Sequence, residues 1–203
     1  SSPAPSSATP PTPSTRTTNR HDLSLKPPRK TMLDLLKDAG KDVIAVGKIF
    51  DIFDGEGVTE KIKTTGNTNG IAFTKALQTR DFEGLAFVNL VDFDMLYGHR
   101  RDVAGYAAAA TEFDKFVADF IPGMREGDIL MVTADHGCDP SYTKTTDHTR
   151  EYVPYLICGK GVKPGVDLGT KLCFGTIAHT ICDYLGVDAS TLDGQSVLSD
   201  ILA

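Results

Sequence analysis

Asp94 and His99 lie within VDFDMLYGHR, while Asp135, His136 and His148 lie within TADHGCDPSYTKTTDHTRE. Three of the five histidines of this 203-residue chain thus fall into two short, acid-bearing loops. Carboxylate oxygens and imidazole nitrogens are the donors that hold hard and borderline divalent cations in catalytic sites. A single Asp or His in a loop is usually a cap, a turn former or a solvated side chain. Five such residues, in two loops that each follow an apolar run, point instead to metal-dependent chemistry at strand ends.

The elements that must position these loops alternate in type. Segment 30–40, KTMLDLLKDAG, puts Met32, Leu33, Leu35 and Leu36 on one helical face and stops at Gly40. Residues 42–47 (DVIAVG) read as a short β-branched strand, 71–80 (IAFTKALQTR) as an amphipathic helix and 84–90 (GLAFVNL) as a buried strand. A long helix over VAGYAAAATEFDKFVADF ends before Pro122 and Gly123, strands follow at 128–134 and 153–159, and TIAHTICDYLG is a helix closed by Gly186. This order predicts an α/β fold, a three-layer sandwich with a mostly parallel sheet covered on both faces. In such a sheet the loops at the carboxyl ends of the strands gather at one edge. The loop of Asp94 and His99 and the loop of Asp135 and His136 are then neighbours, as a two-metal site requires, and His148 returns to the same edge.

Composition bounds the function. With 40% hydrophobic and 24% charged residues the chain can bury one substantial core. A net charge of -6 without any Lys/Arg cluster argues against a nucleic-acid surface. No apolar run approaches the roughly 20 residues of a membrane-spanning helix. The four cysteines form no CxxC pair and suit reduced thiols, hence a cytoplasmic compartment. Residues 1–14 contain only Ser, Pro, Ala and Thr and read as a disordered tail, whose five prolines oppose a targeting helix. Residues 15–203 read as one folded core, and the start at Ser1 in place of Met points to a processed or truncated product.

The strings TRTTNRHDLSLKP, DVIAVGKIFDIFDGEGVTE, FVNLVDFDMLYGHRRD, TADHGCDP and TDHTREYVP together resemble the carboxyl-terminal part of the phosphopentomutases, members of the alkaline phosphatase superfamily. The resemblance runs from about Thr15 to the end. It implies an incomplete alkaline phosphatase-like core without its amino-terminal strands and cap domain. It also implies interconversion of ribose 1-phosphate and ribose 5-phosphate, and of the deoxyribose pair, with two divalent ions, manganese being the family's usual metal. By that resemblance Asp94, His99 and His148 hold one ion and Asp135 and His136 the second, while Lys48, Arg16 and Arg20 serve the phosphate of a pentose phosphate substrate.

Arg16, Arg20 and His21 fit a salt-bridged loop nearly as well. Arg100, Arg101 and Arg150 are placed to bind phosphate or orient carboxylates, and Asp139 and Asp147 to back the ligand histidines. Gly55 and Gly57 suit a tight turn, and His179 suits a helix without a ligand role. The family's phosphorylated threonine nucleophile matches no residue here, so the chain alone is expected to be inactive and to retain metal weakly. Cys138 stands where the family has asparagine after DHG, a softer group that would alter the tuning of the site.

Two other functions stay open. One is a different phosphate-ester enzyme of the superfamily, such as a cofactor-independent phosphoglycerate mutase, against which the TNRHD and GKIFDIFDGEG strings speak. The other is a non-catalytic metal-binding fragment tethered by the Pro-rich tail, against which five chemically competent donors speak. The sequence specifies no oligomeric state.

Overall fold

The computed structural model describes residues 25–145 and 147–202. The expected tail at 1–14, the core boundary at Thr15, and Arg16, Arg20 and His21 lie outside the described residues.

Helix α1 (Met32–Asp38) starts where Asp34 accepts from both the amide and the hydroxyl of Thr31, at 2.7 and 2.9 Å, and it gives way to Gly40, whose φ is 76°. Its spacing buries Leu33 and Leu36 completely, while Met32 and Leu35 are half-buried. Each full burial stabilises by about 1.5–3 kcal/mol. Strand β1 (Asp42–Val46) follows, then the short helix α2 (Ile49–Ile52) and strand β2 (Glu60–Ile62). Helix α3 (Asn67–Leu77) leads to strand β3 (Gly84–Val88).

β1 is the middle of a parallel sheet in the order β2-β1-β3, with Val46 opposite Ile62 on one side and Val88 on the other. The strand period of two divides its side chains between two faces. Val43 and Ala45 pack with Leu33 and Leu36, whereas Ile44 and Val46 pack with Leu77 of α3. A continuous apolar strand is what a parallel sheet covered on both faces demands, and this is the expected three-layer α/β arrangement. Helix α4 (Val103–Phe120) lies on α3, joined by Thr68 to Glu112 at 3.1 Å and by Gln78 to the Phe120 carbonyl at 2.6 Å.

The remaining strands differ from the sequence reading in one respect. β4 (Ile129–Thr133) and β5 (Tyr155–Gly159) pair antiparallel, Thr133 opposite Tyr155, as a separate two-stranded sheet. A parallel pairing needs a crossover, usually helical, but the connection from β4 to β5 contains no helix among its described residues and turns back on itself. Helix α5 (Gly175–Tyr184) then brings the buried Cys182 against Leu33 and Leu36, and α6 (Leu198–Ile201) ends the described chain. No described helix is long and apolar enough to cross a membrane.

Candidate metal centre

The chain leaves β3 at the carboxyl edge of the parallel sheet, where the Asn89 amide still donates to the Val46 carbonyl of β1. Asp92 then locks the loop to the start of α3. Its carboxylate accepts from the Asn67 amide at 2.7 Å, and its own amide donates to the Asn67 side chain at 2.9 Å. Asn67 is buried and carries this clamp, which the sequence reading did not single out.

The next six residues, Phe93–Gly98, form one π-helical turn, closed by the His99 amide donating to the Asp94 carbonyl at 3.0 Å. An i→i+5 turn brings residues five apart onto nearly the same side, which an α-helix would not do. Asp94 and His99 therefore face one another, with Oδ2 to Nε2 at 3.4 Å. The wide turn is anchored by the Phe93 ring edge-on to Tyr106 of α4, centroids 5.3 Å apart, and by Asp102, which caps α4 through the Gly105 amide.

The second loop follows β4. The Thr149 amide donates to the Gly137 carbonyl at 3.1 Å, which closes residues 138–148 into a loop and returns His148 to the side of His136. The two imidazoles stack at 3.6 Å between centroids and 15° between planes, and the His99 ring lies 5.0 Å from His148. His136 Nδ1 is 3.0 Å from the Gly137 carbonyl, so Nε2 is turned toward Asp135 Oδ1 at 3.8 Å. His148 Nε2 lies 3.5 Å from Asp94 Oδ1, and this contact joins the two loops.

Donor atoms of Asp94, His136 and His148 lie within 4.8 Å of one another, a group that takes members from both of the sets the resemblance implied. His99 adjoins this meeting point through Asp94, and Asp135 only through its sequence neighbour His136. One carboxylate and two imidazoles suit borderline divalent ions, and zinc, for one, bonds such donors at about 2.0–2.2 Å. Short side-chain movements bring atoms this close into one coordination sphere, so the residues fit a divalent ion. Side-chain exposures of 28–41% for Asp94, His99, His136 and His148 leave the cluster open to an incoming ligand, and Asp135 is 77% exposed at its rim.

The neighbours divide by role. The Asp147 carboxylate takes the His148 amide at 2.8 Å and stands 3.8 Å from its Nδ1; the amide hydrogen bond holds Asp147 below the usual carboxylate range. Asp139 instead caps Ser141 through its amide and hydroxyl, both at 2.7 Å, and so does not back a histidine. Cys138 Sγ points at Asp94 Oδ1 from 3.6 Å, and burial, followed by the Asp94 charge, pushes its thiol up. It therefore acts on Asp94 as a weak S–H donor.

Lys48 is exposed directly beyond β1, on the sheet edge from which the Asp94 loop also departs. Arg100 and Arg150 are exposed. Arg101 is half-buried, its guanidinium on backbone carbonyls. Gly55 and Gly57 have φ of 75° and 70°, the left-handed turn expected of them, and His179 Nε2 is 3.0 Å from the Leu192 carbonyl, away from the cluster.

Residues 6–189 match the Metalloenzyme superfamily. A phosphopentomutase of Lachnoclostridium phytofermentans is 54% identical over 187 residues, covering 92% of this chain and 47% of its own length. One of Acetivibrio thermocellus is 52% identical, covering 92% of this chain and 48% of its own length. The chain spans about half the length of the curated relatives it matches. Among solved structures, a phosphoglycerate mutase of Leishmania mexicana aligns with a TM-score of 0.64 at 18% identity, over 81% of this chain and 38% of that one. At that identity the likeness is one of fold.

Proposed function

Because this chain belongs to the Metalloenzyme superfamily, we propose that its two loops are the metal-holding part of a phosphopentomutase, acting in the cytoplasm on ribose 1-phosphate, ribose 5-phosphate and their deoxy counterparts. The observation that carries this reading is the contact of Asp94 with His148 across the two loops, in a chain 54% identical to a phosphopentomutase. Asp94, His99 and His148 are assigned to one ion and Asp135 and His136 to a second, the two positions adjoining where Asp94, His136 and His148 meet. Manganese is the metal proposed.

When bound, divalent ions neutralise the charge that develops on a transferring phosphoryl group and polarise its oxygens. The chain's own residues do the positioning. The π turn presents Asp94 and His99 together, the closed loop presents His136 and His148, and the half-open cluster leaves room for a phosphate oxygen. Lys48 adds a positive charge for the substrate phosphate at the same sheet edge, and Arg16 and Arg20 are assigned to that phosphate as well. The phosphorylated threonine of the family has no counterpart in the strings that match, so turnover is assigned to a protein of the relatives' length that contains this chain.

A second reading, a phosphoglycerate mutase, is favoured by the fold neighbour alone. Assaying such a longer protein with ribose 1-phosphate and with 3-phosphoglycerate separates the two. Conversion of the pentose phosphate supports the proposal, and conversion of 3-phosphoglycerate alone replaces it with the second reading.

A further inference from the structure

Arg101 is the residue by which the first loop grips the second. Its guanidinium makes four hydrogen bonds to three backbone carbonyls of the 138–148 loop. Nη1 donates to Asp139 at 2.9 Å, Nε and Nη2 donate to Thr145 at 3.1 and 2.5 Å, and Nη2 also donates to Asp147 at 2.6 Å. These carbonyls lie on both sides of the loop, between the Gly137–Thr149 closure and the ligand His148. The loop has no helix or strand of its own to hold its shape among the described residues. Its interior carbonyls turn to one cation in place of a backbone ladder.

The backbone of Arg101 is built for this reach. Its φ is 56°, in the left-handed region that a residue with a side chain adopts only when its surroundings impose it. Two bonds at the end of the π turn impose it, the Arg101 amide on the Gly98 carbonyl at 3.0 Å and the Asp102 amide on the Tyr97 carbonyl at 2.9 Å. The reversal directs the side chain from the loop that holds Asp94 and His99 into the loop that holds His148. A planar fork of five N–H groups can serve three carbonyls at once, which a lysine ammonium at the end of a flexible stem does poorly.

We propose that Arg101 is a positioning residue of the metal centre, fixing the His148 loop over Asp94 so that donors from the two loops share one pocket. This rests on the metal-centre reading above and deepens it. Arg101 touches neither the ion nor the substrate in this role. It acts through the carbonyl of Asp147, the residue next to His148, and through that of Asp139, two residues beyond Gly137. Groups that orient metal ligands from behind commonly change metal affinity about 10–100-fold when removed.

The test uses this chain with Arg101→Ala and Arg101→Lys, titrated with manganese and followed by amide hydrogen exchange without metal. Expected are manganese affinity reduced about 10–100-fold in R101A, only partial recovery in R101K, and faster exchange across 137–149 with exchange in β1 unchanged. A purely structural staple would leave manganese affinity at the wild-type value in R101K wherever the variant remains folded, and that result overturns the proposal. Should R101A fail to fold, R101K carries the same decision. If the wild-type chain itself takes up no manganese, the metal-centre reading fails. The exchange comparison then still decides whether Arg101 holds the loop, and unchanged exchange at 137–149 rejects it.

Discussion

His136 and His148 stack face to face, ring centroids 3.6 Å apart and planes 15° apart, although residues 137–147 separate them in sequence. The Gly137–Thr149 closure makes this pairing, and Asp94 of the other loop lies against it, 3.5 Å from His148. Neighbouring side chains in one pocket couple energetically, typically by about 0.5–3 kcal/mol. His136→Ala and His148→Ala are each expected to weaken manganese binding more than about tenfold, and the double variant to depart from their sum by an amount in that range. Calorimetric titration of the four proteins closes the cycle, and strict additivity would mean that the two rings serve unrelated places.

Gly98 gives a second handle on the site. A Cβ there would lie 2.4 Å from Cys138 Sγ and 3.0 Å from the Phe93 carbonyl, so the two loops meet where one of them has no side chain. Gly98→Ala should cost about 1–3 kcal/mol through overpacking and should weaken manganese binding by moving Asp94. The double variant Gly98→Ala with Cys138→Ala should recover part of both losses, as measured by urea unfolding and metal titration. No recovery would show that the backbone contact with Phe93 dominates.

The turn before β2 tests the fold independently of the metal. Gly57 combines a φ of 70° with a site where an added Cβ would fall 2.4 Å from backbone atoms of Leu33 and Asp34, whereas nothing lies within 4 Å of such an atom at Gly161. Gly57→Ala should lower the unfolding free energy by more than about 1 kcal/mol, and Gly161→Ala should change it by less than about 0.5 kcal/mol. Thermal and urea unfolding of the pair give the comparison.

How much of this was legible beforehand varies element by element. Helix α4 has the bounds its sequence predicts because the run from Val103 is continuous and Pro122 with Gly123 stops it. β1 was legible because four consecutive apolar, mostly β-branched residues between Asp42 and Gly47 suit a buried strand. β2 was not, since Glu60–Ile62 is three residues with charge at two of them and owes its strand to pairing with Ile44 and Val46. The antiparallel pairing of β4 with β5 was hidden because periodicity reports a strand and not its partner. The five candidate donors were legible by type and loop, but the π turn that aims Asp94 and His99 leaves no periodic signature. The role of Arg101 depends on carbonyls of residues about 40 positions away, which no local pattern announces.

One pH effect follows from the sheet edge. Hydrogen bonding from Arg80 holds Glu60 below its ordinary value of 4.5, and the same pairing raises Arg80. A depressed folded value means that the pair stabilises above the unfolded carboxyl's range and that this contribution is lost as pH falls through the folded value. Both side chains are more than a third exposed, so solvent screening keeps the contribution at neutral pH small. Glu60→Gln should therefore be less stable than the wild type at pH 7 and indistinguishable from it well below pH 4.5. A difference that persists at low pH would assign the effect to packing.

The central claim, that the two loops converge to hold a divalent cation, is tested most directly by titrating this chain and its Asp94→Asn variant with manganese, observed by loss of the free-ion electron paramagnetic signal. Asp94 is the residue that touches both His99 and His148, at 3.4 and 3.5 Å. The account predicts saturable binding by the wild-type chain that the substitution removes. An absence of saturable binding, or binding that survives Asp94→Asn unchanged, would contradict it.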